Sequence, residues 1–386
     1  MRESLDPSRA SQYLAIANRR IRERLVLPKS AVDVISTAFA HAADQLAEPF
    51  RFSQWARLAV LALATGELSS GSGCGNVITS IPKQLPRPSH NFVDPKDILH
   101  GIDPALIATL LMVVLAGGLV LMLAWIYVAS VSRFMLFEAV LRKNCDSLSA
   151  SWQRWQGPGL RYFGWQLALS FCSLVVAALL FLPLLLPLLA TLKNHRQPGP
   201  ELLLAFLPMV LVFSVFAAVM LLINVLSKDF VIPVMAVEGV GVLQAWSRLL
   251  AMMKTEPLSY AGYIGMKIVL AIGASVVFGI LSGIATVILL IPLGFVGVVV
   301  FIAVKGGALS WNAFTITAAI VAGVILLALM TYVIALVCVP VAVFFPAYAM
   351  YFFAERFPAL YARLFPAPTP PPRPPETPPW TPVPAV

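Results

Sequence analysis

Charge is what this chain lacks. Asp, Glu, Lys and Arg make up 12% of its 386 residues, against roughly a quarter in an average soluble protein. The deficit is concentrated, because Pro104–Ser132, Tyr162–Leu192, Leu202–Ser227, Ile268–Val304 and Gly306–Ala354 contain none of the four. Each run exceeds the roughly 20 residues that carry a helix across about 30 Å of hydrocarbon. These runs exclude a water-soluble globule and define a multi-pass integral membrane protein. They also lack the alternating pattern of a membrane β-barrel, and open strand edges do not survive in hydrocarbon, so the spans are helices.

Other absences narrow the function. Residues 1–30 carry Arg19, Arg20, Arg22 and Arg24 without an apolar core. No signal peptide is expected, and the first membrane segment itself directs insertion. The four cysteines, Cys74, Cys145, Cys172 and Cys338, have no CxxC or metal-like spacing, so neither a disulfide framework nor a zinc site is expected. HExxH, GxSxG and P-loop motifs are missing. His90, Asp94, Asp97, His100 and Asp103 cluster in sequence, but helix capping before prolines accounts for the aspartates, and no metal or cofactor is expected. Within the span interiors only Asn224, with Lys267 near one end, is expected to offer a polar handle. Coupled transporters place ionisable groups at mid-bilayer, so a proton pump or exchanger is disfavoured.

What is present begins with a basic arm, residues 1–30, followed by an expected membrane domain over 31–365. Ser30–Glu48 reads as an amphipathic helix with Val32, Ile35, Phe39, Ala42 and Leu46 on one face, opened by a Ser30/Asp33 capping box and ended by Pro49. Phe50–Leu68 is a short apolar segment, read as a tight crossing with Arg51 and Arg57 snorkelling. Residues 69–103 form a loop rich in Gly, Ser and Pro. The run 268–304 would make a helix of about 55 Å, so a break is expected at Pro292 and Gly294. A span over 313–345 is expected to kink or stop at Pro340 and Pro346, with "YAMYFFAERF" at the interface. Residues 366–386, with 11 prolines, form an extended tail.

Counting Phe50–Leu68 gives six crossings, with both termini on the side holding 20 of the 27 Lys and Arg. The opposite side holds Lys83, Arg87, Lys96, Lys193, Arg196 and Lys305. The positive-inside rule makes the basic side cytoplasmic, and the expected location is the bacterial cytoplasmic membrane.

Trp, any residue, Arg occurs at Trp55/Arg57, Trp152/Arg154 and Trp246/Arg248, each shortly before an expected crossing. Residues two apart do not share a helical face, so Trp is expected against acyl chains or a neighbouring helix and Arg toward water and lipid phosphate. Leu141, Cys145, Leu148, Trp152 and Trp155 fall on one helical face, and Val242, Trp246, Leu249 and Met253 on another. Three units follow, about 31–131, 133–227 and 229–346, each an interfacial helix and a hairpin. Gly279-x-x-x-Gly283 and Ala319-x-x-x-Gly323 fit close helix packing.

"EPFRFSQWARLAVLALATG", "SRFMLFEAVLR" and "KDFVIPVMAVEGVGVLQAWSRLL" resemble a family of uncharacterised bacterial multi-pass proteins, similar to the membrane domain that precedes the catalytic domain of some glycerophosphoryl diester phosphodiesterases. The resemblance covers most of residues 30–365 and implies a six-helix membrane domain. It brings no catalytic residue, since no soluble stretch is long enough for the catalytic barrel and "HRQ" at 195–197 is not the required His-Arg-Gly. The expected protein is therefore not an enzyme but an all-α membrane-organising scaffold that touches anionic headgroups or a protein partner through the three motifs. No nucleic-acid partner is expected, and self-association is open. The alternative is a permease or flippase for an amphiphilic solute, with Pro183, Pro187 and Pro208 breaking helices around its path.

Overall fold

The structure, a computed structural model, describes residues 30–47, 50–66, 104–145, 147–193, 200–305 and 313–366. Among them every regular element is helical: α1 Asp33–Ala47, α2 Phe52–Thr65, α3 Pro104–Leu141, α4 Leu148–Lys193, α5 Pro200–Leu226, α6 Ile232–Glu238, α7 Val242–Thr255, α8 Pro257–Lys305, α9 Ala313–Ala354 and α10 Pro358–Leu364. A π-helical turn, Ser227–Val231, joins α5 to α6. Five helices, α3, α4, α5 continued through α6, α8 and α9, are long and apolar enough to cross a membrane. The fold is an all-α polytopic bundle.

The count differs from six because of α2. It has 14 residues, about 21 Å, and ends where Gly66 turns left-handed (φ 70°) and donates to the Leu63 carbonyl. Its first turns lie against the loop after α3: Gln54 Nε2 donates to the Lys143 carbonyl (3.2 Å) and Arg57 Nη1 to that of Cys145 (3.0 Å). Further along, Leu61 shares a small cleft with Met135 and Glu138. Thus α2 runs antiparallel to the last turns of α3 and buries Leu58, Ala59, Leu61 and Ala62 there.

Burial divides the bundle lengthwise. At one end, here the base, α1, α2, the C-terminal parts of α3 and α9, the N-terminal parts of α4 and α8, and α6, α7 and α10 close around one core. Phe230 sits at its centre, with ring centroids 5.0–5.5 Å from Tyr260, Tyr263 and Phe353. At the other end the helices separate. Residues 108–122 of α3 are exposed one after another, and no atom lies within 4 Å of a Cβ placed at Gly117 or Gly118. Apolar side chains uncovered on every face of a helix belong in hydrocarbon.

Several local expectations are corrected. Helix α8 runs unbroken through Pro292 and α9 through Pro340 and Pro346. A proline removes one backbone donor, and a long apolar helix absorbs that by local adjustment. The aromatic stretch is core rather than interfacial: Tyr348, Met350, Phe352 and Phe353 are at most 1% exposed, because they face Phe230, Tyr260 and Tyr263. Residues 141–155 are not one helix, since the chain turns at Lys143 (φ 53°). Gly279, Gly283 and Gly323 meet nothing within 4 Å; α8 instead meets α9 through Phe278 and Ser282, beside Ile334 and Cys338. Cys338 is disulfide-bonded. Sequence spacing alone does not reveal such a pairing.

Helix α1 is rotated from its expected face. The Ser30/Asp33 capping box forms, with Ser30 Oγ donating to Asp33 Oδ2 (2.8 Å) and Asp33 N to Ser30 Oγ (3.4 Å). The buried face, however, is Val34, Ala38, His41, Ala42, Gln45 and Leu46, while Val32 and Phe39 are 57% and 67% exposed. Two polar side chains set this rotation. His41 Nε2 donates to the Val140 carbonyl (2.9 Å), which also accepts from Lys143 N (3.2 Å), and Gln45 Nε2 donates to that of Ala139 (3.0 Å), at the end of α3 where helical carbonyls lack their full set of partners. Helix α1 is the C-terminal cap of α3.

Candidate functional site

The three Trp-x-Arg copies all lie in the base. Trp55 Nε1 donates to the Leu46 carbonyl (3.0 Å), and Arg57 is the residue that holds Cys145. Trp152 packs edge-on against Tyr127 at 5.8 Å. Arg154 bonds Glu138, which also takes Trp155 Nε1 and, at 2.9 Å, Arg142. Trp246 lies 6.1 Å from Trp165, and Arg248 pairs with Glu238. Arg154 and Arg248 each bond a carboxylate of the element before their own helix, while Arg57 bonds a carbonyl in the loop after α3. The tryptophans are partly buried against the core. Each Trp has a contact with a neighbouring element, and each Arg has a partner within the chain.

The second and third copies share more than the motif. Phe134 meets Tyr162 at 6.0 Å and 83°, and Phe230 meets Tyr260 at 5.5 Å and 81°. In both, a phenylalanine before the motif packs edge-on against a tyrosine after it.

A second group of charges sits where the base gives way to the exposed spans. Arg133 on α3, Arg161 on α4, Lys228 after α5 and Lys267 on α8 are each the last charge before the uncharged run of their span. They lie at one level: the Arg133 guanidinium is 5.7 Å from the Tyr162 ring centre, next to Arg161, and Arg133, Lys228 and Lys267 line one cavity of about 50 Å³. Helix α9 brings no charge there. It supplies Phe345, whose ring lies 5.8 Å from Lys267 Nζ, and Pro346.

The π-helical turn carries the one carboxylate of this collar. Asp229 is buried there and is engaged on one oxygen by Lys267 Nζ and by the Tyr263 hydroxyl, the latter at 2.9 Å. A buried carboxylate without partners would be costly, and its lysine and tyrosine come from the same face of α8. The Asp229 carboxylate pairs with Lys267, from the neighbouring helix. Arg133 and Lys228 line the same cavity as Asp229 and Lys267. Arg133 Nε and Nη1 are buried without a hydrogen-bond partner. Among the cavity's lining residues no nucleophile is paired with a base.

Sequence reasoning passed over Arg133 and Arg161. Their signal was available, since a basic residue closing each of four uncharged runs is a pattern of position rather than of motif. Outside the spans, His41 stands apart as a buried titratable group. Burial lowers its pKa from the usual 6.5, the Val140 carbonyl opposing that shift. Its Nδ1 lies 3.0 Å from the Tyr351 hydroxyl, which donates when Nε2 carries the ring proton. The His90–Asp103 cluster lies outside the described residues. Among the described residues no group of three or more His, Cys, Asp or Glu is placed to hold a metal.

Fold and site together define a multi-pass, membrane-embedded helical protein. Residues 29–362 match the model of a family of unknown function, DUF7544, and the chain belongs to that family. Neither a curated protein nor a solved structure matches. The comparisons give no link to the glycerophosphoryl diester phosphodiesterases.

Proposed function

We propose that the chain is a non-catalytic organising scaffold, anchored by its separated spans and presenting the closed base to lipid headgroups or a protein partner. The observation that carries this reading is the way the base uses its charges. Glu138, Asp229, Glu238 and Glu256 each bind an arginine or lysine of another element, which spends them on holding the base rigid. Its outer surface still exposes Phe39, Phe50 and Phe52 on the α1–α2 side and Leu243, Leu250 and Leu258 around α7, apolar groups suited to an interface or a partner.

Among the described residues the base carries most of the basic ones, with Lys193 and Lys305 at the far ends of α4 and α8. The positive-inside rule then puts the base in the cytoplasm of a bacterial cell, with both termini there. The rival reading, a permease or flippase for an amphiphilic solute, draws on the prolines inside α5, α8 and α9. Purified protein in liposomes decides between them. The scaffold leaves movement of a fluorescent phospholipid between leaflets at the protein-free rate. A tenfold acceleration would replace it with the permease.

A further inference from the structure

We infer that α7 is half-immersed in the surface of the bilayer, with Leu243 and Leu250 among the lipid acyl chains. Helix α7 carries more apolar surface than the core covers. Val242, Ala245 and Leu249 are buried, yet Leu243 and Leu250 stand 72% and 48% exposed. At steps of three and four residues Leu243, Trp246 and Leu250 share one face, and Trp246 is only partly covered by the core. The far side of the helix is exposed and polar or small, with Gln244, Ser247, Arg248, Ala251 and Thr255. Lys254, one turn beyond Leu250, is exposed and borders the uncovered edge. Its long stem can lie along apolar surface while its ammonium stays among headgroups. A helix with one apolar edge and a polar back is built to lie in such an interface.

Its height selects lipid as the occupant. Arg161 is the last charge of α4 before the uncharged run, and Trp165 stands about 6 Å further along that helix. The Trp246 ring lies 6.1 Å from that of Trp165, so the middle of α7 sits beside the first turn of the uncharged span. Helix α7 also packs against the π-helical turn, which carries Asp229 at the collar. The phenylalanines of the α1–α2 side differ in height. Phe52 is close to Gln54, which bonds the Lys143 carbonyl past the end of α3, and Arg133 to Leu141 alone covers about 12 Å of that helix. Phe52 thus stands beyond a headgroup layer of about 5–8 Å, whereas the leucines of α7 are level with the hydrocarbon. This inference rests on the scaffold reading for what the base presents, and it names lipid as the partner of this one face.

The test uses full-length protein in nanodiscs of phosphatidylglycerol and phosphatidylcholine, doped with a phosphatidylcholine that carries a diazirine in its acyl chain. After irradiation, labelled residues are mapped by mass spectrometry. Leu243 and Leu250 are expected to take label at no less than a third of the level found over residues 108–122 of α3. Gln244, Ala251 and Phe52 are expected at least tenfold below those leucines. Leu243→Gln with Leu250→Gln is expected to lower labelling of α7 at least fivefold and leave α3 labelled as before, which also reports folding; if that variant does not fold, the wild-type map decides alone. Unlabelled leucines beside a labelled α3 overturn the assignment, and in particles that hold two copies they give the edge to self-association instead. Label on Phe52 equal to that on Leu243 overturns the argument from height. The scaffold reading fails separately, through accelerated lipid movement between leaflets, which this labelling does not measure.

Discussion

At Gly159 two spans touch closely. A Cβ there would stand 2.6 Å from Val131 Cγ2 and 3.0 Å from its Cα, too near for van der Waals contact, while Gly157 has nothing within 4 Å. Gly159→Ala is expected to lower stability by about 1–3 kcal/mol through overpacking. Gly157→Ala is expected to be neutral or to stabilise by up to about 1 kcal/mol through helix propensity. Paired thermal melts in detergent check both, and equal melting temperatures would contradict the α3–α4 contact. Glu138 is the corresponding residue for charge. Its side chain is 8% exposed and joins Arg142, Arg154 and the Trp155 indole. Glu138→Gln, which keeps the shape and removes the charge, is expected to cost about 2 kcal/mol. An unchanged melt would mean that the arginines find equal partners in water.

At the scale of single elements, α1 makes the fold depend on pH. Burial depresses the pKa of His41 in the folded chain, so as pH falls below about 6.5 the unfolded chain takes up a proton first. Stability from this residue is full above that value and declines below it. The melting temperature of wild type is expected to fall between pH 7.5 and 5.5 by more than that of His41→Gln, whose amide can still donate to Val140. Identical slopes would remove His41 as the cause. The same element marks the limit of legibility. The spans could be read directly, because absent charge over 26 or more residues has one physical meaning. The buried face of α1 could not, because its rotation is set by two carbonyls 94 and 99 residues away. A local hydrophobic pattern holds no trace of them. Pro292 misled for the opposite reason: the local rule for a helix breaker was read correctly, and an apolar surrounding outweighed it.

For the whole molecule, both ends of the described chain meet the base. The Ala31 carbonyl accepts from Tyr348 (3.0 Å), and Arg363 donates to the Val237 carbonyl (3.1 Å). Reporters fused before Ser30 and after Phe365 are expected to give the same compartment, cytoplasmic under the positive-inside rule. Opposite signals would break the arrangement of the base. The candidate collar became visible only at this scale. Arg133, Lys228 and Lys267 are far apart in sequence and ordinary one by one; antiparallel spans entering and leaving one end bring them to a common height.

The dependence of α1 on Tyr348 and Tyr351 has a consequence in time. Those partners follow Ala31 and His41 by 317 and 310 residues. At about 5–20 residues per second, translation of the interval takes on the order of 15–60 s. Until α9 arrives, a nascent chain carries α1 with one flank uncovered. Ribosome-bound chains stalled before Thr331 are therefore expected to be cut by protease near α1, and chains released at full length to resist it.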